Sequence, residues 1–155
     1  NHALAANGAA VAVSSQYASN FPATALNNGD RRGANWGSGG GWNDATGNTH
    51  PDWLQVNFNG QKTIDRVVVY TVQDNYASPS VPTDAMTFTQ FGVTAFQVQT
   101  WNGSSWVTQA TVTGNNLVKR TVSFTAVATD RIRINVTAAL AGYSRITEVE
   151  AWTTP

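Results

Sequence analysis

The sequence predicts an all-β fold, an antiparallel β-sandwich of the jelly-roll kind. Apolar residues alternate with polar ones at a period of two along most of the chain, the runs that do so are short, and residues with turn chemistry separate them. Leu54, Val56 and Phe58 alternate with Trp53, Gln55 and Asn57. Phe96 and Val98 alternate with Gln97 and Gln99, and Ile132, Ile134 and Val136 with Arg131, Arg133 and Asn135. Side chains on a strand point to opposite faces in turn, so each run has one buried and one wet face. Enrichment in valine and threonine agrees.

In chain order the expected strands are Val11 to Ser15, Leu54 to Phe58, Ile64 to Tyr70, Phe96 to Val98, Trp106 to Val112, Val118 to Phe124, Ile132 to Val136 and Ile146 to Trp152. That is about eight, the density of a sandwich or barrel. Asn102-Gly103, between Trp101 and Trp106, predicts a hairpin, because both residues tolerate the positive φ that a tight turn demands. Asn59-Gly60 and Gly114 to Asn116 mark two further connections. Two stretches, Asn27 to Pro51 and Asp74 to Gly92, are too long for turns and are rich in aromatic, amide and glycine residues. Long loops on a rigid β scaffold are where function usually sits.

At 155 residues the chain is read as one domain over 1–155. Nine Lys and Arg balance nine Asp and Glu, spread along the sequence. Without a basic stripe or a polybasic tail, nucleic acid is not an expected partner, and a membrane surface is disfavoured. Cysteine is absent, which excludes disulfides, zinc-thiolate sites and thiol catalysis. No run approaches the roughly 20 apolar residues needed to span a bilayer, and Ala3 to Ala12 lacks the form of a signal peptide.

Three segments carry a family resemblance: Asn27 to Trp36, Pro51 to Tyr70, and Tyr143 to Trp152. Together they resemble the F5/8 type C (discoidin-like) family, which includes family 32 carbohydrate-binding modules. The resemblance implies a discoidin-topology jelly roll with its terminal strands close together and a structural cation near that closure. The family's loop, Ala-x-Asp-Gly-Asn-x-x-Thr-x-Trp, is matched from Ala25 through Asn28, Gly29 and Asp30 to Gly33 and Trp36, and its last-strand glutamate by Glu148 after Thr147. By that resemblance Ca2+ is expected on the carbonyls of Ala25, Gly33 and Thr147 and the side chains of Asn28, Asp30 and Glu148. Calcium takes about six to eight hard oxygens and accepts carbonyls and amides beside one or two carboxylates. Asn28 stands where an aspartate is usual and Gly33 replaces a hydroxyl residue, so the site is expected to bind more weakly than one with more charged ligands. Taken alone, Asn27 to Asp30 also reads as a plain turn.

The same resemblance implies a noncatalytic glycan-binding module, secreted or at the cell surface, that is an ancillary part of a larger, bacterial protein and a monomer. Protein adhesion is the alternative, with lipid binding behind it. Sugar sites stack an aromatic face on a pyranose ring and fix its hydroxyls with amides, arginines or histidines. The residues expected to do so are Trp42, Asn43 and His50 from the first long loop and Gln73, Asp74, Asn75 and Tyr76 from the second, with Phe88, Phe91, Arg31, Arg32, Tyr143 and Arg145 as further candidates. Trp42, flanked by glycines, is expected to be exposed; Trp36 and Trp53 read as core or loop anchors. Galactose-binding relatives look as though they carry an arginine after the strand matching Ile64 to Thr71. Here the chain reads Val72-Gln73-Asp74-Asn75, so a galactose preference is not implied.

Catalysis has little to work with. The only two glutamates, Glu148 and Glu150, share a strand face about 7 Å apart. Two neighbours on one strand cannot flank a glycosidic bond from opposite sides. No nucleophile elbow or metalloprotease helix is present.

Overall fold

The computed structural model describes residues 1–154. Its strands are β1 (Ala10–Val13), β2 (Trp42–Asn43), β3 (Asp52–Thr71), β4 (Val93–Trp101), β5 (Trp106–Val112), β6 (Lys119–Ala139) and β7 (Arg145–Trp152). Every pairing is antiparallel. The order across the sheet is β2-β7-β3-β6-β4-β5, with β1 added on β3.

Two strands are much longer than the periodicity suggests, because β3 joins Leu54 to Phe58 with Ile64 to Tyr70 and β6 joins Val118 to Phe124 with Ile132 to Val136. They run side by side as one ribbon whose register shifts between Asn57 and Lys62 and again between Ile64 and Arg66. The extra residues of such bulges bend a strand, so one ribbon serves two layers. Its Asp52 to Asn57 half carries β1 on one side and β4-β5 on the other. Its Arg66 to Thr71 half carries β7 and β2. Asn59-Gly60 is therefore a kink within a strand rather than a connection, with Gly60 at φ +75°.

The core lies between the layers. Leu54, Val56, Ile132, Ile134, Val136, Phe96 and Val98 are fully enclosed from one side and Val67, Ile146, Val149 and Ala151 from the other. In the smaller layer the outward face is covered too: Tyr70 pairs with Glu148 and Val68 with Glu150, and all four are buried. The segment after Asn27 lies across them, since Gly29 N–H donates to Glu148 and Arg31 to Glu150. The hairpin after Trp101 forms with Trp101 opposite Trp106. Only Gly103 takes a positive φ, +102°. Asn102 instead caps the turn, its side-chain oxygen accepting from Ser104 N and Ser105 N.

Trp42 is not an exposed loop aromatic. It forms β2, pairs with Ile146 on β7, is completely buried, and donates its indole N–H to the Ser15 carbonyl at 2.8 Å. Three preceding glycines hid this, because the segment has no alternating pattern and the strand is two residues long. Replacing a buried tryptophan by alanine removes its transfer energy and leaves a cavity. Trp42→Ala is expected to cost about 3–5 kcal/mol in denaturant unfolding; a cost under about 1 kcal/mol would contradict the burial.

Candidate functional site

At the end of the sandwich where β4 and β7 begin, loops assemble an aromatic cleft. Tyr143, Tyr17 and Phe21 meet edge to face at centroid distances of 5.7 and 5.9 Å, and Phe21 tilts against Trp36 at 5.2 Å. On the other side Tyr76 meets Phe91 at 5.7 Å. Arg145, the first residue of β7, stands between the two groups with its guanidinium 5.1 Å from the Tyr143 ring and 5.5 Å from Phe91. Two adjoining hollows of about 230 and 200 Å³ share Trp36 and Arg145 as walls. No carboxylate lines either one. Among the described residues the Arg145 side chain makes one hydrogen bond, from Nη1 to the Leu140 carbonyl at 3.3 Å, and burial lowers its pKa from the ordinary value. Its remaining donors are available to a guest.

A buried polar brace holds this end in place. Asp44 accepts from Ser144 N at 2.6 Å and Thr46 N at 2.6 Å; Asp52 accepts from Ser144 Oγ at 2.7 Å and Thr46 Oγ1 at 3.1 Å. Both aspartates are fully or nearly fully buried, and burial pushes the Asp52 carboxyl up. Because Ser144 lies between Tyr143 and Arg145, these bonds fix the two cleft residues from behind.

The expected sugar contacts distribute unevenly. Asn43 lines the cleft beside Tyr17, and Tyr76 is 44% exposed at its rim. Gln73 is buried and clamps its own loop, with Nε2 donating to Ser80 O at 2.6 Å and Oε1 accepting from Ser80 N. Asp74 is likewise a loop brace: burial raises its pKa, but bonds from Thr89 N, Thr89 Oγ1 and Gln90 N outweigh that and hold it low. Asn75 donates to Ser78 O. His50 stands 3.3 Å from the Asp52 carboxylate, outside both hollows. Phe88 is buried, with its ring where a Gly92 side chain would be. Trp36 and Trp53 are partly exposed and outside the core, and Trp36 anchors its loop against Phe21. Tyr17 and Phe21 escaped sequence reasoning because neither lies in a patterned strand or in the two long loops.

The expected cation loop has a different character. Asn28 Oδ1 accepts from Asp30 N, and Asp30 accepts from Arg32 N and Ala34 N, so the loop is wound by its own polar side chains. Gly33 has φ +70°, and a Cβ there would collide with the Thr147 methyl, so glycine is required where the loop meets β7. Glu148 is completely buried. Its Oε2 accepts from Gly29 N at 3.0 Å while Oε1 is buried without a hydrogen-bond partner. Burial pushes its pKa up to about 8. The nearby Arg31 is committed to Glu150, which also accepts from Trp152 Nε1 and Tyr70 Oη. Among the described residues no three His, Cys, Asp or Glu side chains cluster as a metal site. A cation here would be held mostly by backbone and amide oxygens, a donor set that suits calcium. The orphaned Glu148 oxygen fits such an ion. A larger depression of about 830 Å³ lies beside this loop, but Glu150 and Arg31 in its wall are already paired, and Trp152 is its only aromatic.

A family model for the F5/8 type C domain matches residues 10–149. No curated protein matches the chain. Among solved structures, chitosan-binding module 2 of a chitosanase/glucanase from Paenibacillus sp. IK-5, in complex with chitotriose, is 21% identical with a TM-score of 0.72, covering 99% of this chain and 100% of that one. The family 32 carbohydrate-binding module of NanJ from C. perfringens, in complex with galactose, is 17% identical with a TM-score of 0.65, covering 92% of each chain. SpGH29 is 19% identical with a TM-score of 0.74; the match takes in all of this chain and 28% of that one. At these identities the likeness establishes the fold, a discoidin-like antiparallel sandwich.

The lone buried oxygen has a measurable consequence without metal. The folded pKa of Glu148, about 8, lies above its ordinary value of 4.5, so the protonated form is favoured by folding. Its contribution is full below pH 4.5 and is lost as pH rises towards 8. Chelator-treated protein is expected to melt lower at pH 8 than at pH 5.5, and Glu148→Gln to flatten that slope. Parallel pH profiles of melting temperature for the two proteins would remove Glu148 as its source.

Proposed function

The chain belongs to the F5/8 type C domain family, and from that premise we propose that it is a noncatalytic carbohydrate-binding module whose loop-end cleft takes a glycan terminus or a short stretch of chain. The observation that carries this reading is Arg145, with no carboxylate beside it in the cleft wall and only the buried Asp44 behind it, between two groups of aromatic rings. Sugars present C–H faces that pack on such rings and hydroxyls that accept from guanidinium and amide donors. Asn43, nearly buried in the wall with Nδ2 donating to the Asp44 carbonyl, offers its amide oxygen to a sugar hydroxyl. With a positive group and no carboxylate in the wall, a cationic amino-sugar polymer is poorly matched; neutral or acidic sugars suit it.

Calcium is the cofactor of this reading. The carbonyls of Ala25, Gly33 and Thr147 with the side chains of Asn28, Asp30 and Glu148 would hold it, supported by the orphaned Glu148 oxygen. When bound it supplies charge balance to that carboxylate. The chain's own part is to wind the loop and carry it against β7. Outside the cell, such a module would hold a larger protein on its polysaccharide, where linking raises effective concentration even if each sugar contact is weak.

A broad glycan and polysaccharide panel, run with the folded protein in millimolar calcium, tests the sugar reading. One chemically related set should bind and be competed by free sugar, and Tyr76→Ala and Arg145→Gln should each weaken it about tenfold or more at unchanged melting temperature. Silence across the panel would shift the reading to protein adhesion. Calcium at a hundredfold excess over its Kd is expected to add about 2.7 kcal/mol, a rise on the order of 5–10 °C in melting temperature. Glu148→Gln should abolish that rise; an equal rise in the variant would place the ion elsewhere.

A further inference from the structure

We propose that the outer face of the larger layer is a second binding surface, separate from the cleft, for an extended acidic polysaccharide. On a soluble sheet the wet face is ordinarily a scatter of charged and hydroxyl side chains. Here the outward positions carry Trp53 on β3, Trp101 on β4 and Trp106 on β5, three of the chain's six tryptophans, all partly exposed. Between them runs a ladder of amides in which Asn135 Nδ2 and Gln99 Nε2 both donate to Gln97 Oε1, at 3.2 Å each.

Arg133 is the centre of the face. Its guanidinium lies against two indoles, 4.4 Å from the Trp53 ring and 4.2 Å from that of Trp106, and Nη2 donates to Gln55 Oε1 at 3.1 Å. Among the described residues it forms no ion pair. None of the outward positions alternating along these strands is a carboxylate; Asp130, next to Arg131 at the far end, is tied to it by two bonds of 2.8 and 2.9 Å. Arg131 in turn lies 5.5 Å from Trp101, and both line a depression of about 520 Å³ between the β3 kink and the β4-β5 turn. This is the opposite end of the strands from the cleft, so the two surfaces do not share a residue.

Partly exposed indoles, amides and a fixed cation with no ion pair suit a flexible polymer whose rings stack on the exposed indole surface and whose carboxylates meet the outer edge of the guanidinium. The net positive charge of the face selects an acidic chain over a neutral one. It also disfavours a second copy, because a two-fold contact through this face would bring Arg133 towards its equivalent in the partner.

The inference stands apart from the cleft reading and is tested by affinity electrophoresis through matched polymers. Carboxymethylcellulose and hyaluronan are the carboxylate-bearing probes, and hydroxyethylcellulose and dextran the neutral ones. The protein should be retarded by the first pair and not the second, less so as salt rises. Arg133→Gln and Gln99→Glu, which puts a carboxylate on the face without touching the core, should each weaken retardation about tenfold or more with melting temperature preserved. Arg145→Gln and Tyr76→Ala, which address the cleft, should leave it unchanged. Free migration through both acidic polymers, equal retardation by the neutral ones, or full binding by Arg133→Gln would overturn the proposal. So would dimerisation in sedimentation that Gln99→Glu disrupts.

Discussion

The seating of β7 between β2 and β3 is the constraint on which the rest of the molecule depends. Eight residues, Arg145 to Trp152, supply the central cleft arginine, the buried wall of the core through Ile146, Val149 and Ala151, and both glutamates. Register links them. With Ile146 opposite Trp42 and Glu148 opposite Tyr70, a slip of one residue would turn the glutamates into the core and the aliphatic side chains out of it. Cleft and cation loop are thus fixed by one set of backbone hydrogen bonds.

Buried carboxylates show how closely this end of the structure is specified. Asp44, Asp52, Glu148 and Glu150 are all withdrawn from water, which is costly unless each is hydrogen-bonded or paired. Asp44 and Asp52 are satisfied by amides and hydroxyls that brace the cleft, and Glu150 by Arg31, Tyr70 and Trp152. Glu148 alone keeps an unpartnered oxygen. Among these four carboxylates, that exception is what supports the proposed cation.

The scaffold was legible in the sequence because strand periodicity is a local property. Leu54 to Phe58, Phe96 to Val98 and Ile132 to Val136 declare their inner faces by alternation, and all lie as expected. What could not be read was continuity: nothing local distinguishes a bulge at Asn59-Gly60 from a turn there. The cleft was less legible still. Its aromatics come from six separated places in the chain, and exposure depends on what covers a residue. Trp42, marked out by the glycines before it, is sealed in the core beside β7, whereas Trp36 is partly exposed. Gln73 and Asp74 emerge at the expected end, yet their polar atoms are absorbed in holding their own loop. Local composition indicates that a loop is polar; only the fold shows which polar groups remain unspent.

The most direct measurement of the central claim uses the six tryptophans as reporters. Each contributes one indole N–H signal to a nitrogen-proton spectrum, and Trp36, in the cleft, is separated from the buried Trp42 and from the outer-face trio. On titration with a glycan identified by panel screening, the Trp36 signal should move progressively, a movement lost in Arg145→Gln, while Trp42 stays fixed. Saturable glycan binding that leaves Trp36 unmoved would contradict the assignment of the cleft as the sugar site.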